Sequence, residues 1–111
     1  LWEIPAGRLA SPAESPAECA RRELLEEAGV TAGRLDRLTT IWTTPGFTDE
    51  AIHLVIASAL RAATSHRERD EFIEVAPRPL SQVLEMIRGG ELCDAKTALA
   101  ILYVAGFILG R

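Results

Sequence analysis

The chain has 111 residues, 48% of them hydrophobic and 25% charged, with a formal net charge of −4 and a pI near 5.2. That length holds one hydrophobic core and not two, so a single domain over 1–111 is expected. The acidic balance leaves no electrostatic footprint for nucleic acid or an anionic membrane, although a bound divalent cation would invert the local field and admit a nucleotide.

Leu1 opens directly on Trp2-Glu3-Ile4, which reads as a strand entered midway, so a segment ahead of it is expected. Pro5-Ala6-Gly7 ends that strand in a turn, and Arg8 to Glu14 is a loop. Ser15-Pro16-Ala17-Glu18 is a helix start, with Ser as N-cap, Pro at the first helical position and Glu closing a capping box. Gly29 ends the helix. Ala17, Ala20, Leu24 and Ala28 form its apolar stripe, and Cys19 is a small packing residue. Leu35 to Thr43 is a strand, and Thr44 to Glu50 a loop. Ala51 to Leu60 is a second strand, apolar enough to be buried on both faces. Ala62 to Asp70 is a polar loop and Glu71 to Ala76 a third strand. Pro79 starts a helix that runs to Arg88 and stops at Gly89-Gly90. Asp94 caps a last helix from Ala95 to about Leu109.

Strands and helices interleave irregularly, which predicts an α/β fold with helices on a mixed sheet. The longest apolar run, Ala98 to Leu109, is about half of what a spanning helix needs. No signal peptide is evident, so a cytoplasmic setting is expected. Cys19 and Cys93 stand far apart and in no metal-type spacing, and nothing suggests a disulfide-stapled fold.

The chemistry concentrates in Arg22-Glu23-Leu24-Leu25-Glu26-Glu27-Ala28-Gly29-Val30. Glu23 and Glu27 are four apart, so they share a helix face, and like charges at that spacing repel. Glu26 and Glu27 also sit near the helix C-terminus, where the macrodipole disfavours anions. A solvated acidic face is the plain alternative. Both penalties together argue for a cation, and carboxylate oxygens suit Mg²⁺ or Mn²⁺.

The stretch from Gly7 to Val30 resembles the Nudix box: Gly, five residues, Glu, seven residues, then Arg-Glu-aliphatic-X-Glu-Glu-X-Gly-aliphatic. Glu14, Arg22, Glu23, Leu24, Glu26, Glu27, Gly29 and Val30 all match, but six residues rather than five separate Gly7 from Glu14. Glu3-Ile4-Pro5-Ala6-Gly7, Pro45-Gly46-Phe47-Thr48-Asp49-Glu50, the acidic loop Glu68-Arg69-Asp70-Glu71-Phe72, and Gly90-Glu91-Leu92 followed by Asp94-Ala95-Lys96-Thr97 are similar to the ADP-ribose pyrophosphatase branch of that family, in the same order.

The resemblance implies a Nudix-type α/β/α sandwich with a mixed central sheet. It implies metal-dependent hydrolysis of a nucleoside diphosphate linked to another group, foremost ADP-ribose to AMP and ribose 5-phosphate. ADP-glucose and NADH are alternative substrates, and a non-catalytic ADP-ribose sensor is the alternative role. Glu23, Glu27, the Ala6 carbonyl and Asp70 would hold Mg²⁺ or Mn²⁺. Glu68 would be the general base. Glu26 would complete the catalytic set, as a ligand or as a group that steadies the ligands. Arg22, paired with Glu26, and Glu14 would play supporting roles. Gly7, Arg8, Gly46, Phe47, Thr48 and Glu50 would line the substrate, with Phe47 equally readable as a core anchor. Trp2 and Trp42 are read as packing residues or as platforms for adenine, and His53 as a hydrogen-bonded strand residue. The family branch forms a homodimer through a segment that precedes the catalytic domain, so a homodimer is expected where that segment is present.

Overall fold

A computed structural model describes residues 1–63 and 73–110. The chain divides into two compact units, Pro5–Glu74 and Leu1–Ile4 with Val75–Arg111.

The first unit begins with helix α1, Pro16–Ala28. Its start is dictated by sequence: the Ser15 hydroxyl accepts from the Glu18 N–H, and the Glu18 carboxylate accepts from the Ser15 N–H. Gly29 stops it at φ +70°, with its N–H returned to the Leu25 carbonyl at 3.0 Å. Strand β1, Val30–Trp42, comes next and pairs antiparallel with β2, Ala51–Ala62. The register runs from Val30 opposite Ala62 to Trp42 opposite Ala51, and it shifts between Arg37 and Thr39, so Leu38 is the extra residue of a bulge. Two bonds lock α1 onto the hairpin. The Arg21 guanidinium donates to the Ala32 carbonyl at 3.0 Å, and the Ala63 N–H donates to the Gly29 carbonyl at 2.9 Å. Cys19, Ala32 and Leu54 are the buried apolar side chains of this unit.

β1 begins five residues earlier than Leu35, because Val30 to Arg34 find partners in Ser58 to Ala62. β2 is not buried on both faces. Leu54 is buried, its neighbours are half-buried and 58–62 are exposed, because among the described residues β2 has β1 as its one partner strand.

In the second unit, α2 spans Leu80–Gly89 and α3 spans Ala95–Tyr103. Pro79 precedes α2 in an extended conformation, and Gly90 ends it at φ +87°. Asp94 caps α3 by accepting from the Thr97 N–H. The last helix does not continue as an α-helix to Leu109. It widens into a π-turn over Val104–Ile108, with the Leu109 N–H reaching the Val104 carbonyl at 2.9 Å. The Tyr103 and Phe107 rings meet edge to face across that turn, at 4.9 Å.

Two expected strands do not form among the described residues. Residues 2–4 have no ladder partner; the Ile4 N–H goes instead to the Thr97 hydroxyl at 3.1 Å. Residues 73–76 are irregular, and 71–72 lie outside the description. No helix among the described residues is long and apolar enough to cross a membrane.

Candidate functional site

The α1 carboxylates meet the Pro5–Gly7 turn and the loop after it, all within the first unit. The Ala6 N–H donates to Glu27 Oε1 at 2.9 Å. Gly7 lies so close to Glu23 that a Cβ built there would stand 1.9 Å from Glu23 Oε2 and 2.0 Å from its Cδ. Only glycine allows that approach. The expected ligands on α1 and the turn are therefore tied together: Glu23 against Gly7, and Glu27 against Ala6.

Arg22 organises the rest. Its Nε and Nη2 grip Glu14 Oε2 and Oε1, both at 3.1 Å, in the paired geometry that suits a planar guanidinium. Nη1 reaches Glu23 Oε2 at 2.9 Å and Glu26 Oε1 at 3.6 Å, and Nη2 donates to the Arg8 carbonyl at 2.8 Å. The expected Arg22–Glu26 pair is present, but it is the longest of these contacts. Sequence reasoning missed the main partner, Glu14, which lies eight positions back in a loop where helical periodicity says nothing. Glu14 also accepts from the Ala10 N–H at 2.6 Å. The Arg22 hydrogen bonds, then that main-chain bond, hold its carboxyl below the ordinary 4.5. The same bonds to Glu14 push the Arg22 guanidinium further up.

Sequence reasoning read Cys19 as a small packing residue and gave it no site role. It lies one helical turn before Arg22 and Glu23, and the spacing alone carries that signal. Its buried thiol faces the Gly7 and Arg8 carbonyls, at 3.8 and 3.5 Å, from beneath the turn. Burial raises its pKa, with the Glu14 charge adding to the effect, so it stays a thiol and donates. Both cysteines are free, with Cys93 exposed.

The loop after β1 forms a separate feature at the hairpin end remote from Gly29. Its neck is closed by the Thr43 N–H on the Glu50 carbonyl at 3.2 Å and the Thr43 hydroxyl on Glu50 Oε1 at 2.9 Å. Thr48 accepts from the Glu50 N–H at 3.1 Å, and Gly46 turns the chain at φ +97°. Phe47 is 88% exposed, so it anchors no core among the described residues. Trp42 is also exposed. Trp2 instead lies under the Arg78 guanidinium, 5.4 Å from the ring centroid. His53 is a hydrogen-bonded strand residue, as expected: Nδ1 meets Thr40 Oγ1 at 2.8 Å and Arg37 Nη2 at 3.2 Å.

Glu68, Asp70 and Glu71 lie outside the described residues. Among the described residues, no group of three His, Cys, Asp or Glu side chains is arranged to hold a metal ion. Arg22 engages Glu14, Glu23 and Glu26, and the Ala6 N–H engages Glu27. The donors are nonetheless of the right kind for a hard divalent cation, with two carboxylates on one helix face beside a glycine turn.

A family model described as the NUDIX domain matches residues 1–97. The chain belongs to the Nudix family. It is 44% identical to an ADP-ribose pyrophosphatase of Bacillus subtilis (strain 168) over 106 residues, 94% of this chain and 57% of that protein. It is 38% identical to a GDP-mannose pyrophosphatase of Salmonella arizonae (strain ATCC BAA-731 / CDC346-86 / RSK2980) over 107 residues, 94% of this chain and 55% of that protein. The solved structure of an ADP compounds hydrolase superposes with a TM-score of 0.78 at 25% identity, covering 89% of this chain and 54% of that one. The α/β Nudix fold is thereby established, and the chain spans a little over half the length of these relatives.

Proposed function

We propose that this domain catalyses metal-dependent hydrolysis of a nucleoside diphosphate linked to a second group, with ADP-ribose the favoured substrate and AMP and ribose 5-phosphate the products. The observation that carries the reading is the approach of Gly7 to Glu23, with the neighbouring Ala6 N–H on Glu27. A glycine that lets the turn close on Glu23, beside a second carboxylate on the same helix face, suits oxygens that share a task. Similarity to an ADP-ribose pyrophosphatase at 44% identity supports the substrate, and similarity to a GDP-mannose pyrophosphatase keeps the wider nucleoside diphosphate-sugar class in view.

Glu23, Glu27 and the Ala6 carbonyl would hold Mg²⁺ or Mn²⁺, together with Asp70. When bound, the ion neutralises charge on the pyrophosphate oxygens. Arg22 keeps Glu23 and Glu26 in place from one side and the Arg8 carbonyl from the other. In the reaction a water oxygen bonds to one phosphorus, the bridging P–O bond breaks, and Glu68 takes the water proton. Gly46, Phe47, Thr48 and Glu50 would meet the second group; the exposed Phe47 ring is free to stack. The whole protein is proposed to act as a homodimer.

The test is mass-detected turnover of ADP-ribose, GDP-mannose, ADP-glucose and NADH in ¹⁸O-labelled water with Mg²⁺. AMP and ribose 5-phosphate, one of them labelled, support the reading and name the phosphorus attacked. Binding of ADP-ribose without turnover would replace it with a sensor role. Neither binding nor turnover with any of the four would overturn it.

A further inference from the structure

The bulge in β1 gathers side chains that the proposed reaction does not use. Side chains alternate along a strand, so Arg37 and Thr40, three apart, would ordinarily point to opposite faces. The extra residue Leu38 resets the alternation. Arg37 stands opposite Val55 and Thr40 opposite His53, and Val55 and His53, two apart, share a face. Trp42, two residues beyond Thr40, lies on that face too, across from Ala51. The buried Ala32 and Leu54 lie on the other face. All of these residues belong to the first unit.

Arg37 Nη2 donates to Thr40 Oγ1 and lies 3.2 Å from His53 Nδ1, and Thr40 Oγ1 lies 2.8 Å from the same nitrogen. A guanidinium only donates, so Nδ1 accepts and the ring N–H sits on Nε2. Nη2 is therefore held by two uncharged side chains. Among the described residues Nε and Nη1 have no hydrogen-bond partner, and Arg37 makes no ion pair, unlike Arg22, Arg34 and Arg88. A cation held in place with N–H groups to spare lacks one partner, an anion, and its planar fork suits phosphate oxygens. Trp42 is 61% exposed, and Ala51 across from it offers only a methyl group, which leaves the ring open. The ring stands two residues along from Thr40, about 7 Å, the reach of one nucleoside. We infer that this face of the hairpin binds a nucleoside monophosphate, its phosphate on Arg37 with the His53 Nε2–H as second donor, and its base stacked on Trp42. The inference does not rest on the reaction proposed above.

The test titrates the whole protein with inorganic phosphate, ribose 5-phosphate and AMP. A chelator is present so that no metal contributes, and NMR follows the His53 imidazole and the Trp42 indole. All three ligands are expected to shift His53. AMP alone also shifts Trp42, and it binds about tenfold or more tighter than phosphate, the gain from one stacked base. Arg37→Gln, at an exposed position, weakens AMP about tenfold or more, the loss of a charge-assisted hydrogen bond. Trp42→Leu removes the preference for AMP and leaves the phosphate response in place. No His53 response to any of the three up to about 10 mM would overturn the inference. An equal response to chloride at matched ionic strength would do the same, since it would reflect screening alone. So would AMP binding no tighter than ribose 5-phosphate, or undiminished AMP binding in Arg37→Gln. Should Arg37→Gln not fold, Trp42→Leu decides: an AMP preference that survives it overturns the inference.

Discussion

Replacing Gly7 by alanine separates a site requirement from a folding requirement. The new Cβ would stand 1.9 Å from Glu23 Oε2, 2.0 Å from Cδ and 2.6 Å from Cγ. Ordinary contact begins near 3.4 Å, so the carboxylate must move by about 1.5 Å (3.4 less 1.9). Because Cγ is also too close, the side chain must change rotamer near the helix and not merely tilt its tip. That movement breaks the 2.9 Å contact of Glu23 with Arg22. The obstacle is a flexible side chain and not main chain, so the fold can yield at a cost of about 1 kcal/mol, or ~5 °C in Tm. Catalysis has no such latitude: a misplacement of about 1 Å costs on the order of 100-fold in rate. The measurement is Mg²⁺-dependent ADP-ribose turnover beside a thermal melt of Gly7→Ala. Turnover is expected to fall at least ~100-fold with the Tm lowered by only a few degrees. Turnover within about threefold of the unaltered protein would refute the reasoning, because a displaced Glu23 would then not matter to the chemistry.

Three further expectations rest on single contacts. Glu27→Gln keeps an oxygen to accept from the Ala6 N–H but removes the charge, so turnover should fall by orders of magnitude while the melt stays put; unchanged turnover would take Glu27 out of the metal set. Glu14 has its folded pKa depressed below 4.5, so its stabilising contribution is complete above that value and is lost as pH falls through the lower folded value. Urea midpoints measured from pH 6 downward should therefore fall less steeply for Glu14→Gln than for the unaltered protein, and parallel curves would count against the Arg22 clamp as the cause. Ala59 lies at φ +54°, with its Cβ 2.8 Å from where a Cβ on Gly33 would be. Ala59→Gly should raise stability by up to ~1 kcal/mol, Gly33→Ala should lower it by about 1–3 kcal/mol, and the double variant should recover most of that loss, all read from urea midpoints.

Local signals were legible in the sequence and long-range ones were not. The capping box at Ser15, the stop at Gly29 and the cap at Asp94 are set by neighbours within a few residues, and each appears in the structure; the hairpin strands were legible, but the start of β1 was not, because Val30 to Arg34 pair with residues about thirty positions on. The expected strand at residues 2–4 is different. Its β-prone side chains describe a pleated surface, but a strand also needs a ladder partner, and the Ile4 N–H finds the Thr97 hydroxyl instead. The π-turn after Tyr103 has a similar cause, since apolar periodicity cannot distinguish one helical pitch from another over so few residues. At the site, the helix spacing placed Glu23 and Glu27 on one face. It could not show that Glu14 would take the fork of Arg22, because the geometry of that pair depends on the path of a loop.

That path explains how the box tolerates its extra residue. Six residues rather than five stand between Gly7 and Glu14. Arg22 holds the stretch near both ends: its Nη2 binds the Arg8 carbonyl at 2.8 Å, and its Nε and Nη2 bind the Glu14 carboxylate. Between those anchors the chain is exposed from Leu9 to Ala13 and doubles back on itself. The Ala10 N–H reaches Glu14 Oε1 at 2.6 Å, and the Glu14 N–H reaches the Ser11 carbonyl at 3.1 Å. A residue added between two fixed points on a solvated turn lengthens the loop at a loop-closure cost of a few tenths of a kcal/mol. It leaves Gly7 against Glu23 and Glu14 against Arg22. The placement of Glu14 and the Arg8 carbonyl is therefore held by one guanidinium and not by the residue count between them.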